Sequence, residues 1–193
     1  MNIILGSNSP RRKELLSQLG FTFEIRAISF EEQIDQRLDY KEIPKDIVSQ
    51  KLSAMINKLG SEDLIICADT LVFLDGKAIG KPSSKDDAVS MLNELSGNTH
   101  EVITAVGFSF KHDTKIFSET TEVTFNVISA EAIHFYVDTY SPLDKAGAYG
   151  IQEWIGLIGV SSIKGSYTNV MGLPTQRVFD ELTAITKKGA ISP

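Results

Sequence analysis

Apolar and polar positions repeat with two different periods along this chain, and each change of period marks an element boundary. Asn2-Ile3-Ile4-Leu5 is a short apolar run stopped by Gly6-Ser7, the pattern of a buried strand. Ser9-Pro10 then opens a helix, with Ser9 as N-cap and Pro10 in the first helical position; Leu15, Leu16 and Leu19 form one apolar face and Gly20 ends it. Residues 21–25 predict a second strand. An acidic, irregular stretch over 31–35 follows, and then a helix from about Pro44 with Ile47, Val48, Leu52, Met55 and Ile56 at helical spacing. Leu64–Leu74 is the strongest strand signal, and Asp75-Gly76 turns it into a hairpin with 77–80. Ser83-Ser84 cap a helix carrying Ala88, Met91, Leu92 and Leu95, closed by Ser96-Gly97-Asn98. The period then changes to two, predicting long strands at about 101–111 and 115–128, after which Ser129 caps a helix through Val137. A strand over 158–163, a turn at Lys164-Gly165-Ser166 and an amphipathic helix from Pro174 complete the chain.

Strands interleaved with helices and hairpins predict an α/β protein with a mixed sheet flanked by helices, in preference to an all-parallel open sheet. At 193 residues the prior is one domain over 1–193, which could divide into two lobes around a cleft. Composition removes several function classes. Nineteen Lys+Arg against twenty-five Asp+Glu give a formal charge of −6, which argues against capture of nucleic acid or an anionic membrane by the net field. Cys67 is the single cysteine, so neither an internal disulfide nor a cysteine-rich zinc site can form, and a reducing, cytoplasmic setting fits. No apolar run approaches the roughly 18–20 residues of a spanning helix. His100, His112 and His134 lack metal-ligand spacing and no Gly-x-Ser-x-Gly elbow is present, so the histidines read as surface or structural.

The chemistry concentrates in the turns. Gly6-Ser7-Asn8-Ser9-Pro10-Arg11-Arg12-Lys13 places free backbone N–H groups and two arginines at a helix start, an arrangement that suits an anion. A capped, solvated basic face is the plain alternative at that spacing, and the glycine and lysine spacing excludes a P-loop. Asp69 lies inside the apolar strand Leu64–Leu74, where an ionised carboxylate loses several kcal/mol of hydration unless it is paired, hydrogen-bonded or bound to a cation. Lys81, just past the hairpin, is a candidate phosphate-binding cation or partner for Asp69. The Asp144-Lys145-Ala146-Gly147-Ala148-Tyr149-Gly150-Ile151-Gln152 segment combines close backbone approach with a stacking ring and an amide that both donates and accepts. Glu31-Glu32 reads as a solvated acidic pair or, with Asp69, as oxygen ligands for a magnesium–phosphate complex.

Ser7 through Leu16, Ala68-Asp69-Thr70, Gly80-Lys81-Pro82, Leu95-Ser96-Gly97, Ile103-Thr104-Ala105-Val106, Asp144 through Gln152 and Val170-Met171-Gly172-Leu173-Pro174 occur in the order found in the Maf family of nucleotide pyrophosphatases, which the chain resembles over nearly its whole length. The resemblance implies an elongated mixed sheet like that of the inosine triphosphate pyrophosphatases, with a central cleft, and a homodimer. It implies hydrolysis of nucleoside triphosphates to monophosphate and pyrophosphate with a divalent cation, magnesium or manganese. The Lys-Ala-Gly-Ala-Tyr-Gly-Ile-Gln version resembles the subgroup acting on dTTP and UTP, with modified pyrimidine nucleotides as further candidates, whereas relatives acting on methylated guanine nucleotides tend to carry a Phe-Lys-x-Glu ending. Carried over residue by residue, the resemblance implies nucleotide or phosphate contacts at Ser7, Arg11, Arg12 and Lys51, and specificity and phosphate placement at Thr70, Lys81 and Gln152. It makes Asp69 the proton acceptor and places Glu32, with Asp69, at the metal. Two positions depart from the family pattern: Gly6 replaces the common alanine, and Glu153-Trp154 follows Gln152 where a glycine is typical. The competing reading from another class is a non-catalytic nucleotide-binding regulator of cell division, suggested by the family's association with septum formation.

Overall fold

The computed structural model describes residues 1–29, 33–35, 37–59, 62–111 and 113–186. Its elements run β1 (Ile3–Leu5), α1 (Pro10–Gln18), β2 (Glu24–Ile25), α2 (Ile43–Leu59), β3 (Leu64–Leu74), β4 (Lys77–Ile79), α3 (Lys85–Leu95), β5 (Thr99–Phe110), β6 (Asp113–Phe125), α4 (Ala130–Tyr140), α5 (Trp154–Gly159), β7 (Val160–Lys164), α6 (Tyr167–Met171) and α7 (Thr175–Thr186), with a 3-10 turn at Ala146–Ala148. The sheet is mixed and, among the described residues, seven-stranded: the order is β2-β1-β3-β5-β6-β7, with β4 paired to β3. β1 runs parallel to both β2 and β3, whereas β3–β4 and β6–β7 are antiparallel.

Local chemistry explains most boundaries. Ser9 caps α1 by accepting the Arg12 N–H, and Pro10 occupies the first turn, where its missing donor costs nothing. Ser84 and Ser129 cap α3 and α4 in the same way. Asp75 and Gly76 both have positive φ, 51° and 75°, the pairing a two-residue hairpin needs to match the twist of its strands.

Several boundaries differ from the sequence expectation: β6 ends at Phe125 rather than near 128, α4 runs to Tyr140 rather than Val137, and α6 has no counterpart in it. The strand over 21–25 shrinks to Glu24–Ile25, which pair with Ile4 and Leu5, while the Phe21 ring packs against Phe179 of α7 at 6.0 Å. The strand expected over 158–163 begins at Val160, because Ile158 and Gly159 belong to α5. Periodicity cannot separate a short apolar helix from a strand, and here close packing around two glycines decides. The last helix starts at Thr175, one residue after Pro174.

The chain divides into two compact units, which β3, β5 and β6 pass between. The first holds residues 1–69, 104–119 and 172–193. In it α2 lays Val48, Leu52 and Met55 against Ile4, Ile65, Cys67 and Ala105 of the strands. The approach is close: a Cβ on Gly107 of β5 would lie 2.5 Å from Leu52 Cδ1 and 2.7 Å from Val48 Cγ1. Gly6 has a similar reason, since a Cβ there would fall 2.8 Å from the Cys67 Sγ, so the departure from alanine accommodates the thiol. The second unit holds 70–103 and 120–171. Its core joins Ala88, Leu92 and Leu95 of α3 to Ile133, Tyr136 and Val137 of α4, with Val123, Phe125 and Tyr149.

Candidate active site

In the first unit the candidate side chains Ser7, Arg12, Lys51 and Asp69 lie near the carboxyl end of β1, where ligands commonly bind in α/β sheets. Gly6 N–H donates to the Ile66 carbonyl at 2.8 Å, which continues the β1–β3 register (Leu5 opposite Ile66) and brings Ser7 to the β3 flank. Ser7 is buried, and its Oγ accepts the Ser9 N–H at 3.2 Å and Arg12 Nη1 at 3.3 Å. Arg12 Nε donates to the Gly172 carbonyl at 2.9 Å, so one guanidinium ties the first helix to the Val170–Pro174 motif 160 residues away. Arg11 is half-buried in the same helical turn.

Asp69 is buried at the end of the β3 segment of this unit, and the cation against it is Lys51 of α2, whose Nζ donates to Oδ1 at 2.6 Å. Sequence chemistry had offered Lys81 as a partner for Asp69; Lys51 takes that place. Lys51 stands three residues after Val48 and four before Met55, so helical geometry puts it on the flank of the buried stripe. Lys51 and Arg12 both act electrostatically on the Cys67 thiol, which shares a strand face with Asp69; burial outweighs them and pushes that thiol up to about 12. Cys67 is therefore an inert packing residue at neutral pH.

The other Asp69 oxygen, Oδ2, is buried and has no hydrogen-bond partner among the described residues. A buried carboxylate oxygen without a donor implies a ligand at that point: a water, a substrate group or a cation. A hard divalent ion on a phosphate substrate needs only one or two protein carboxylates, so Asp69 Oδ2 fits such an ion. Glu31 and Glu32 lie outside the described residues. Among the described residues no group of three His, Cys, Asp or Glu side chains could hold a metal by itself.

The second unit carries Thr70, Lys81 and Gln152. Thr70 directly follows Asp69 on β3 and is half-buried, and Lys81 is exposed. The Gly147 N–H, at a φ of 71°, donates to the Gly80 carbonyl at 2.9 Å, which fastens the Lys81 segment to the glycine-rich loop. Gln152 Oε1 is buried without a hydrogen-bond partner among the described residues, a second unsatisfied acceptor. Tyr149 does not offer a stacking face: it is buried and its hydroxyl meets His100 Nε2 at 2.8 Å.

His100 is a structural histidine. The Phe125 and Tyr149 rings pack edge-on to it at 5.2 and 5.4 Å, and burial lowers its pKa to about 4. Above pH 6.5 it is neutral in both folded and unfolded chains. As the pH falls from 6.5 towards 4 the unfolded chain takes a proton that the folded chain refuses, so stability is lost across that window, by about 3 kcal/mol. Urea midpoints measured from pH 7 to pH 4 should show this slope, shallower in His100→Phe; equal slopes would exclude it.

Two solved structures share this fold. The Staphylococcus aureus Ham1 protein aligns with a TM-score of 0.50 over 97% of this chain and 98% of its own, at 16% identity. A HAM1 protein from Coxiella burnetii gives 0.53 over the same shares, at 14% identity. The chain belongs to the Maf family: the model described as "Maf-like protein" matches residues 2–185. A Phocaeicola vulgatus protein named dTTP/UTP pyrophosphatase is 53% identical over 181 residues, covering 93% of this chain and 94% of that one. Proteins of the same name from Flavobacterium psychrophilum and Bacteroides fragilis are 50% and 47% identical, covering 92% and 93% of this chain and 91% and 94% of their own.

Proposed function

We propose that this chain is a nucleoside triphosphate pyrophosphatase acting on dTTP and UTP. The observation that carries the reading is Asp69: a buried carboxylate with one oxygen anchored by Lys51 and the other without a partner among the described residues. That is the arrangement of a base held in place by one oxygen so that the other can take a proton. Asp69 Oδ2 accepts the proton of a water whose oxygen bonds to the α-phosphorus; the bond from that phosphorus to the bridging oxygen of the β-phosphate breaks, and pyrophosphate leaves. Arg11, Arg12, Lys51 and Lys81 offset phosphate charge, with Arg12 aimed by Ser7 and Gly172. Asp69 and, by the resemblance, Glu32 would hold a divalent cation, magnesium or manganese, which when bound supplies further charge neutralisation. Thr70 and Gln152 set base specificity; the unpaired Gln152 carbonyl oxygen suits the N3–H donor of thymine or uracil.

By the resemblance the loop ending in Gln152 is of the pyrimidine type, and the reading carries with it the cytoplasmic setting and the homodimer that the resemblance implies. Among the described residues no helix is long and apolar enough to cross a membrane. The test is pyrophosphate release from a panel of canonical and modified nucleoside triphosphates with magnesium or manganese. Turnover greatest on dTTP and UTP is the expected result. Binding of dTTP without turnover under either metal would replace the enzyme with a nucleotide-sensing regulator.

A further inference from the structure

Glu153 directly follows Gln152, and its side chain turns back on the loop that carries Gln152. Tyr136 of α4 is fully buried; its hydroxyl accepts the Gly150 N–H at 3.0 Å and donates to Glu153 Oε2. Glu153 Oε1 faces the ammonium of Lys145 at 3.2 Å, and that ammonium also meets Asp144 Oδ1 at 2.8 Å. Lys145 is buried as well, and these carboxylates pair it there. The Glu153 N–H closes a turn onto the Gly150 carbonyl at 2.9 Å. Contact is tight: a Cβ on Gly150 would lie 2.7 Å from the Glu153 carboxyl carbon.

These bonds pin the residues on both sides of Gln152 and leave the Gln152 Oε1 without a partner among the described residues. An amide that must discriminate between bases has to be held to a fraction of an ångström. A structural cluster would need only to bury its own charges; this one, built from α4, from Lys145 and from the residue that opens α5, fastens Gly150 and Glu153 on either side of Ile151-Gln152.

We infer that Glu153, acting through the Tyr136 hydroxyl and the Lys145 ammonium, is a positioning residue that sets pyrimidine selectivity by fixing the Gln152 amide. The inference rests on the reading of Gln152 given above and extends it. Neither Glu153 nor Tyr136 touches the substrate in this account, so their removal should move KM and base preference and spare kcat.

The experiment uses the full chain with magnesium and compares dTTP, UTP and CTP for the parent, Glu153→Gln, Tyr136→Phe, Gln152→Ala and the double variant Glu153→Gln/Gln152→Ala, each checked for folding by its melting temperature. Glu153→Gln and Tyr136→Phe should each raise KM for dTTP and UTP on the order of tenfold, with kcat within about twofold and the preference over CTP reduced. In the Gln152→Ala background the Glu153 substitution should add less than about twofold, because the group it positions is gone. Preference kept by Glu153→Gln and Tyr136→Phe, but lost in Gln152→Ala, overturns the inference alone. So does a uniform fall in kcat on all three nucleotides. Preference kept by Gln152→Ala brings down the reading of Gln152, and this inference with it.

Discussion

Asp69→Asn should release pyrophosphate from dTTP on the order of 100- to 10,000-fold more slowly than the parent, the share of a rate that a positioned base contributes. Asparagine keeps the size of the side chain and an oxygen for Lys51, so the fold should survive. What it loses is the second carboxylate oxygen, the one with no donor among the described residues, since an amide nitrogen there cannot accept a proton. Stability should fall by about 1–2 kcal/mol, because the mostly buried Lys51 ammonium keeps an oxygen to bond but loses its counter-charge. Measuring kcat and the melting temperature together separates these effects. A variant that turns over dTTP at the parental rate would remove Asp69 from the mechanism.

Gly156→Ala is expected to have the largest effect on stability. In an isolated helix alanine is better than glycine by about 1 kcal/mol, so propensity alone predicts a gain. Here the added Cβ would sit 1.9 Å from the Ile151 carbonyl oxygen and 2.6 Å from its carbon, both backbone atoms that cannot rotate aside. Overpacking against backbone costs about 3 kcal/mol and outweighs the propensity term. The displaced residue also directly precedes Gln152, so activity on dTTP should fall with stability. Gly80→Ala, with no atom within 4 Å of its added carbon, is the near-neutral control for the melt. A rise in melting temperature for Gly156→Ala would refute the packing argument.

The elements most legible in the sequence were those whose signals are local. Ser9-Pro10, Ser84 and Ser129 cap their helices as their side-chain chemistry demands, and Asp75-Gly76 turns the hairpin. Asp69 stood out because a carboxylate in an apolar strand needs a reason. The helix over Trp154–Gly159 was not legible, since its glycines are there for the Ile151 carbonyl and for Ile128, neither of which sequence spacing reveals. Lys51 came only by resemblance, although its register with Val48 and Met55 on α2 was a usable signal.

By itself, then, the sequence determined the α/β class, the order of the strands and of the longer helices and the turns that hold the chemistry, because capping, period and φ preference act within a few residues. Tertiary structure alone decided that Lys51 meets Asp69, that Arg12 reaches Gly172, and that Tyr136 and Lys145 hold Glu153 beside the loop of Gln152. Those pairings join residues 8 to 160 positions apart. They form because buried charges and hydroxyls must find partners wherever the packed strands and helices bring them, and no local pattern encodes which partner that will be.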